Sequence, residues 1–310
     1  MSDNRTVSST VTAKTGTAEP ATTQAAPARK LAVVGAAVLW GTAGTAGLLV
    51  GGVDPVSLAA ARLVIGGLVL AVAAGAAMRA LPRKGLLAAA AAGVAAYQLC
   101  YFAAVSRTGV AIGTVVAIGS GPVFTGLLSW LADRVVPTRR WAGATAAAII
   151  GCAVLTGGGG EARADGILLA LLGGLIYAFY AVSAARVIGA GASSDAVMGA
   201  MFGGAALLML PVLLGTDLGW LAEPRGLLTA LYLGGATTAL AYLLYGRGLR
   251  TTPVATAATL ALAEPAVAAL LGVVVLGEQL TAISAAGLLL LGASLVAVAL
   301  PERKAAQSLL

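Results

Sequence analysis

The chain has 310 residues, of which 59% are hydrophobic and only 10% charged, with a formal net charge of +7. Soluble domains carry roughly 25% charged residues, so this composition excludes a protein whose whole surface faces water. Histidine is absent, which excludes histidine-based metal sites and histidine proton relays.

Long apolar stretches follow one another from residue 31 onward, and each is about the length needed to cross the ~30 Å hydrocarbon core as a helix. They lack the alternation of membrane β-strands, so we predict an all-α membrane protein. The ten predicted membrane-spanning helices are 31–50, 56–78, 86–106, 109–131, 141–156, 166–188, 196–215, 226–246, 253–276 and 281–300.

Two terminal segments lie outside these helices. Residues 1–30 are rich in Thr, Ser and Ala without an apolar period, which predicts a disordered tail, and residues 301–310 form a second tail. The apolar run after residue 30 is a full span followed by many more, so it is not a secretory signal.

The distribution of Lys and Arg predicts the orientation. With the N-terminus in the cytoplasm, fifteen of the 19 basic residues fall on that side, against Arg107, Arg163 and Arg225 on the other and Arg62 within span 2. Such a bias supports a multi-pass cell (plasma) membrane protein with both termini cytoplasmic. The basic charge is therefore a sign of topology, and we expect no nucleic-acid partner.

The second half of the chain repeats the pattern of the first. Gly109 and Pro253 are related by an offset of 144 residues, as are Arg134 and Glu278. Five spans in each half would place the second repeat upside down relative to the first, with a site where the halves meet near mid-bilayer. The predicted repeats are 31–156 and 166–300.

A short glycine run, Gly157–Gly160, joins the repeats. We interpret it as a flexible link, since the Lys-Ser/Thr of a phosphate-binding loop is missing. The cysteines, Cys100 and Cys152, fall inside predicted spans and are expected to be small buried residues.

Several stretches resemble the EamA family of the drug/metabolite transporter superfamily. They are LAVVGAAVLWGTAGTAGLL in span 1, GSGPVFTGLLSWLADRVVPTRRWAGATAAAIIGCAVL at the end of the first repeat and AEPAVAALLGVVVLGEQLTAISAAGLLLLGASLVAVA at the end of the second. The resemblance covers about residues 31–300. It implies ten helices as two inverted five-helix repeats, a central cavity, and export or exchange of small metabolites, amino acids or drugs, often against an ion gradient.

The first hinge departs from the family pattern, which has Glu in both hinges. Here Asp133 is followed by Arg134, at the position that Glu278 occupies in the second hinge. We expect these three residues to set helix ends and gating contacts rather than to bind substrate.

Glu264 is the strongest candidate for chemistry. It lies close to the centre of span 9, where an acidic side chain is costly and should face a cavity or a partner, which suits a proton carrier or a cation-binding group. The alternative is a structural Glu that is protonated or paired with Arg or Tyr. Ser120 is its counterpart at offset 144, and Pro122 and Pro265 are candidate helix breaks that free carbonyls for a cavity.

Six of the seven tyrosines fall in pairs three or four residues apart within spans 3, 6 and 8, so each pair shares a helix face. These residues, Tyr97/Tyr101, Tyr177/Tyr180 and Tyr242/Tyr245, are candidates for a cavity wall that offers π faces and hydroxyls, or else for helix packing. Gln98 is a further polar candidate, and Trp40 is either cavity wall or packing.

Arg62 lies about seven residues into span 2. Two interpretations stay open: a side chain that reaches the interface or pairs with Asp54, and an anion site or a partner of Glu264.

We therefore predict a secondary active transporter, an exporter or exchanger that works by alternating access, with Glu264 as the candidate for proton coupling. Its predicted partners are a small-molecule substrate, the lipid bilayer and a proton or counter-substrate, with no cofactor and no metal. The alternatives are a non-transporting membrane subunit or a lipid scramblase, and, less favoured, an intramembrane enzyme, which would need clustered acids or a catalytic dyad at membrane depth.

Overall fold

The computed structural model describes residues 25–134, 136–157 and 163–300, and every regular element in these ranges is helical. Eight helical stretches there are long and apolar enough to cross a membrane. The helices are α1 (Ala25–Leu48), α2 (Pro55–Ala74), α3 (Lys84–Asp133), α4 (Arg139–Thr156), α5 (Ala164–Gly189), α6 (Ser194–Leu214), α7 (Pro224–Gly234), α8 (Ala241–Leu249), α9 (Val254–Leu260), α10 (Ala263–Leu276) and α11 (Ala282–Ala299).

The prediction of an all-α membrane protein is confirmed for the described residues. Many leucine and valine side chains point outward, such as Val72, Val274 and Leu289, which are 81%, 80% and 74% exposed. Such an apolar exterior suits lipid rather than water. The predicted tail 301–310 lies outside the described residues, as does most of the link Gly157–Gly160. Most of the predicted tail 1–30 also lies outside them, but its last residues belong to α1, which begins at Ala25.

α3 is interrupted at Gly109, where φ is 79° and ψ is 163°. A straight helix of its 50 residues would be about 75 Å long, far more than one crossing needs. Only glycine adopts this backbone conformation readily. The interruption falls between predicted spans 3 and 4, so α3 has a first part, 84–108, and a second part, 110–133.

The proline predictions have different outcomes. α9 ends at Leu260 and α10 begins at Ala263, so a helix break does precede Pro265. Pro122, in contrast, lies within continuous helix of the second part of α3, and its prediction as a helix break is wrong. A proline lacks one N–H donor and often bends a helix, but neighbouring helices hold the flanking turns here and the break occurs at Gly109 instead.

Glycine lets two helix pairs pack closely and in antiparallel directions. On α4, a Cβ atom at Gly151 would lie 2.6 Å from the backbone nitrogen of Leu291, and one at Gly287 of α11 would collide with Leu155. Because residue 151 meets 291 and 155 meets 287, the two helices run in opposite directions. α2 and α6 also pack closely and run in opposite directions. Small residues at such contacts allow helices to approach closely in lipid.

Between α7 and α8, Gly235–Leu240 forms a π-helical turn. Thr237 and Thr238 both donate their hydroxyls to the Leu233 carbonyl, at 2.8 and 3.0 Å, and so satisfy an acceptor where the helix is widened. Such turns often occur at functional sites, and this one immediately precedes the helix that carries Tyr242.

An aromatic cavity with one carboxylate as the candidate functional site

A cavity of about 70 Å³ lies halfway along the helices. Its lining comes from α1, α2, both parts of α3, α5, α8, α9 and α10, with one residue between the last two helices. The lining residues are Trp40, Arg62, Tyr97, Ala117, Ile118, Tyr177, Tyr180, Tyr242, Ala258, Ala261 and Glu264.

Glu264 reaches this cavity because the chain breaks just before it. After the end of α9, the Glu264 N–H donates to the Ala261 carbonyl at 3.0 Å, in a tight turn. α1 packs closely on this turn, since a Cβ atom at Gly41 would lie 2.7 Å from the Glu264 carbonyl oxygen. Among the described side chains that line the cavity, Glu264 is the one acidic residue.

Arg62 lines the same cavity, and its buried Nε atom has no hydrogen-bond partner among the residues that the structure describes. Asp54 instead accepts a hydrogen bond from the Ser57 N–H at 3.1 Å, as the N-cap of α2. Among the described residues, no ion pair within 4.0 Å joins Arg62 to Asp54 or to Glu264. The cavity therefore contains a cation and a carboxyl group that do not neutralise each other directly.

Aromatic rings surround the two charged groups. Trp40 lies 5.1 Å from Tyr242 between ring centroids, and Tyr177 lies 5.2 Å from Tyr180 in an edge-to-face arrangement. Tyr97 is 6.3 Å from each ring of the Tyr177/Tyr180 pair. Such rings present π faces that attract organic cations and apolar groups, and hydroxyls that orient polar ones.

The structure brings six of the ten predicted cavity residues into the lining. These are Trp40, Tyr97, Tyr177, Tyr180, Tyr242 and Glu264. The other four lie outside it. Tyr245 is directly behind the wall, where its hydroxyl shares a hydrogen bond of 3.1 Å with that of Tyr177.

Tyr101 stacks on Tyr97 at 6.1 Å, and its hydroxyl pairs with Thr114 at 2.9 Å. Ser120 donates to the Ala117 carbonyl at 3.2 Å and lies against Gly174 of α5. Gln98 is buried, with 7% of its surface exposed. Tyr101 and Ser120 therefore contact lining residues, Tyr97 and Ala117, from outside the cavity.

Sequence reasoning missed four small or aliphatic lining residues, Ala117, Ile118, Ala258 and Ala261. A signal was present for two of them, since Ala117 and Ala261 are themselves related by the offset of 144 residues. Residues at equivalent positions of the two predicted repeats therefore both line the cavity.

A larger cavity of about 800 Å³, which we call the vestibule, lies at the end of the bundle where α1 begins. It is lined by the ends of helices, and Asp133 and Arg186 form an ion pair of 3.1 Å there. Lys30 donates to the Ala299 carbonyl at 2.9 Å, and Arg140 to the Ala297 carbonyl at 2.6 Å. These cations stabilise the C-terminal end of α11.

The two hinges both end a helix. Arg134 has a positive φ of 56° and its N–H donates to the Trp130 carbonyl, while the Glu278 N–H donates to the Gly272 carbonyl.

Within the described ranges, no group of three or more Cys, Asp and Glu residues is arranged to hold a metal ion.

The sequence matches the model of the EamA-like transporter family over residues 30–157 and 164–300. The chain belongs to this family. It is 37% identical over 281 residues to the uncharacterized transporter YwfM of Bacillus subtilis (strain 168), a match that covers 88% of this chain and 94% of that protein. These matches identify a membrane transporter.

A solved crystal structure has the same fold. It superposes with a TM-score of 0.76 at 21% sequence identity, over 87% of this chain and 96% of the other. At that identity, the similarity extends to the fold and no further.

Proposed function

We propose that this protein is a secondary active transporter, an exporter or exchanger of small metabolites, amino acids or drugs, with the aromatic cavity as its substrate site. The observation that carries the proposal is the position of Glu264 and Arg62, an acidic and a basic side chain in one ring-walled cavity halfway along the helices. Charged groups at that depth mark substrate or ion pathways.

The helix contacts support two inverted five-helix halves, if α3 counts as two spans and α7–α8 and α9–α10 as one each. If the two halves exchange places, α2 and α6 take each other's positions, and so do α4 and α11. The two helices of each pair contact each other and run antiparallel. The same exchange puts α1 in the position of α5. The contacts of α1 with α8 and α10 then correspond to the contacts of α5 with the two parts of α3. Such pseudo-symmetry is the basis of alternating access in inverted-repeat transporters.

The sizes of the two cavities support a substrate-driven conformational cycle. Sites for small molecules typically measure at least roughly 300 Å³, so the central cavity of about 70 Å³ must expand before it holds a metabolite. The vestibule, at about 800 Å³, has that room, and it leads toward the cavity along α5, from Arg186 and Val182 to Tyr180.

All the helix ends that surround the vestibule belong to the side with the predicted excess of Lys and Arg. We therefore propose that the vestibule faces the cytoplasm and that the protein resides in the plasma membrane with both termini inside. In that orientation, this conformation would receive its substrate from the cytoplasm, as an exporter does.

We further propose that Glu264 couples transport to protons. A carboxyl group inside a membrane protein can bind either a proton or a cationic group, so the two compete for one site. Binding of an ammonium group would favour release of the proton, and Arg62 would receive a substrate carboxylate. Among the proposed substrate classes, this arrangement favours zwitterions of amino-acid type.

The test uses purified protein in proteoliposomes with an imposed pH gradient. Its substrate is chosen by a thermal-stabilisation screen of amino acids, nucleosides, sugars and cationic drugs. Glu264→Gln should abolish the response of transport to the gradient, whereas Glu223→Gln, which changes an exposed acid that lines none of the three cavities, should retain it. If Glu264→Gln transports as well as wild type with the same pH dependence, the coupling role is wrong.

A further inference from the structure

A third cavity, of about 500 Å³, runs between the second part of α3 and α4 on the lipid-facing side. Val123, Leu127 and Trp130 in its lining are 51%, 44% and 42% exposed. Apart from Thr145, every lining side chain is apolar or aromatic. We call this cavity the α3–α4 groove; it is lined by Val123, Gly126, Leu127, Trp130, Val136, Pro137, Trp141, Ala142, Thr145, Ala146 and Ile149.

Only a thin wall separates the α3–α4 groove from the vestibule. Val136, Pro137 and Trp141 line both cavities. The indole ring of Trp141 lies on the bare backbone of Gly126, where an added Cβ atom would come within 2.6 Å of Cη2. One layer of side chains, centred on Trp141, is therefore the boundary between a lipid-facing surface and a water-accessible cavity.

Three residues that line the vestibule have a buried polar atom with no hydrogen-bond partner within the described part of the chain. These polar groups are the Ser129 hydroxyl, the Thr252 hydroxyl and the Trp141 indole N–H. Ser129 and Thr252 are only 8% and 3% exposed. Buried polar groups in native proteins are nearly always satisfied, so three unsatisfied groups on one cavity indicate a polar ligand.

The charge of the vestibule indicates the sign of that ligand. Lys30, Arg83 and Arg140 line it, while Asp133, its acidic lining residue, is already paired with Arg186. Lys30 and Arg140 keep their positive charge while they donate to carbonyls of α11. The vestibule therefore has an excess of positive charge next to an apolar groove, which complements an anionic head group attached to an apolar chain.

We propose that the α3–α4 groove and the adjoining vestibule wall form a binding site for one anionic phospholipid of the surrounding leaflet. Its acyl chain occupies the groove, its glycerol passes the edge of the wall at Val136 and Pro137, which line both cavities, and its phosphate lies on the vestibule side. There the phosphate accepts hydrogen bonds from Ser129, Thr252 and the Trp141 indole. This lipid is a resident ligand and not the transported substrate, so the site is separate from the cavity of Glu264.

Native mass spectrometry of the purified full-length protein tests the site. Phosphatidylglycerol and phosphatidylcholine with identical acyl chains are titrated as the probes, alongside soluble glycerol phosphate. We expect phosphatidylglycerol to bind at least about fivefold more tightly than phosphatidylcholine, the ratio for one cation near a membrane surface. Equal affinities would overturn the proposal, and so would binding of glycerol phosphate as tight as that of the intact lipid.

Two variants locate the binding. Ala146→Phe fills the groove from an exposed position on α4, and it should remove the preference for phosphatidylglycerol. Ala153→Phe makes the same change at another exposed position on α4 that lies outside the groove lining, and it should retain the preference. Equal behaviour of the two variants would show that the lipid binds elsewhere.

Removal of the hydroxyls is an independent test that does not depend on filling the groove. Ser129→Ala combined with Thr252→Val should weaken binding of phosphatidylglycerol and of phosphatidylcholine about two- to tenfold each, because both head groups contain the phosphate that accepts these hydrogen bonds. Unchanged phosphatidylglycerol binding would overturn the assigned head-group contacts. Glu264→Gln should bind phosphatidylglycerol as wild type does, so a failure of the transport proposal and a failure of the lipid site are distinguishable.

Discussion

Gly41 of α1 lies against the backbone carbonyl of Glu264, where a Cβ atom on residue 41 would come within 2.7 Å of that oxygen and 2.6 Å of the Val267 Cβ. The contact joins the first helix to the turn that presents the one cavity carboxyl group among the described lining residues. The position of Glu264, in the second predicted half, therefore depends on the missing side chain of Gly41, on α1 of the first predicted half.

Substitution Gly41→Ala should accordingly displace the turn before α10 and lower the transport rate. Overpacking of a tight contact typically costs about 1–3 kcal/mol, so the thermal unfolding temperature should also fall. Gly44→Ala is the matched control, because nothing lies within 4 Å of a Cβ atom at that position on the same helix. Equal effects of the two substitutions on transport and on unfolding would contradict the assigned contact.

Gly109 separates the two parts of α3 with a conformation that an L-residue avoids. We expect Gly109→Ala to destabilise the protein by about 1–3 kcal/mol through backbone strain. Gly143→Ala, at an open helical position on α4, should be neutral or slightly stabilising, because alanine favours helix more than glycine does. Chemical or thermal unfolding in detergent measures both variants, and a neutral Gly109→Ala would mean that the interruption is not required.

The hydrogen bond of 3.1 Å between the Tyr177 and Tyr245 hydroxyls links α5 to α8 behind the cavity wall. Tyr177→Phe and Tyr245→Phe should each lower stability by about 0.5–1.5 kcal/mol, and the double variant should cost less than the sum. Tyr232→Phe combined with Tyr245→Phe is the control, because Tyr232 pairs with Thr42 instead and the two effects should add. Additive effects in both pairs would exclude a coupled pair of tyrosines.

The Asp133–Arg186 ion pair joins the end of α3 to α5 at the vestibule. Both side chains are about two-fifths exposed, so Asp133→Asn should cost less than about 1 kcal/mol in stability. It should nevertheless change the transport rate, because the pair holds two helices that border the entrance. The exchange of Asp133→Arg with Arg186→Asp should restore the rate, and Asp195→Asn, which breaks the separate pair with Arg247, should leave it unchanged.

Local sequence was sufficient to predict the membrane-spanning character and most helix bounds, because hydrophobic length along the chain determines which segments cross a bilayer. It also pointed to Glu264 as an acid near the middle of a predicted span, and this residue lines the central cavity. The Pro122 prediction failed because a proline weakens a helix without determining where the helix breaks. Gly109, whose backbone conformation requires glycine, was the actual position of the interruption in α3.

The tyrosine pairs show most clearly what the sequence alone could not predict. Spacing correctly put Tyr97 near Tyr101 and Tyr242 near Tyr245, but only the first member of each pair lines the cavity, whereas both Tyr177 and Tyr180 do. Spacing also left open whether Arg62 turns toward Asp54 or toward Glu264. The choice depends on how each helix is rotated about its axis, which the contacts with its neighbours determine.

The sequence by itself thus determined the class of protein, the order of the helices and the one acid near the centre of a predicted span, because these follow from composition and distance along the chain. Only the tertiary structure decided which side chains share a cavity. Close packing at Gly41, Gly151 and Gly287 sets the rotation and separation of helices that are far apart in sequence, and no local pattern encodes those contacts.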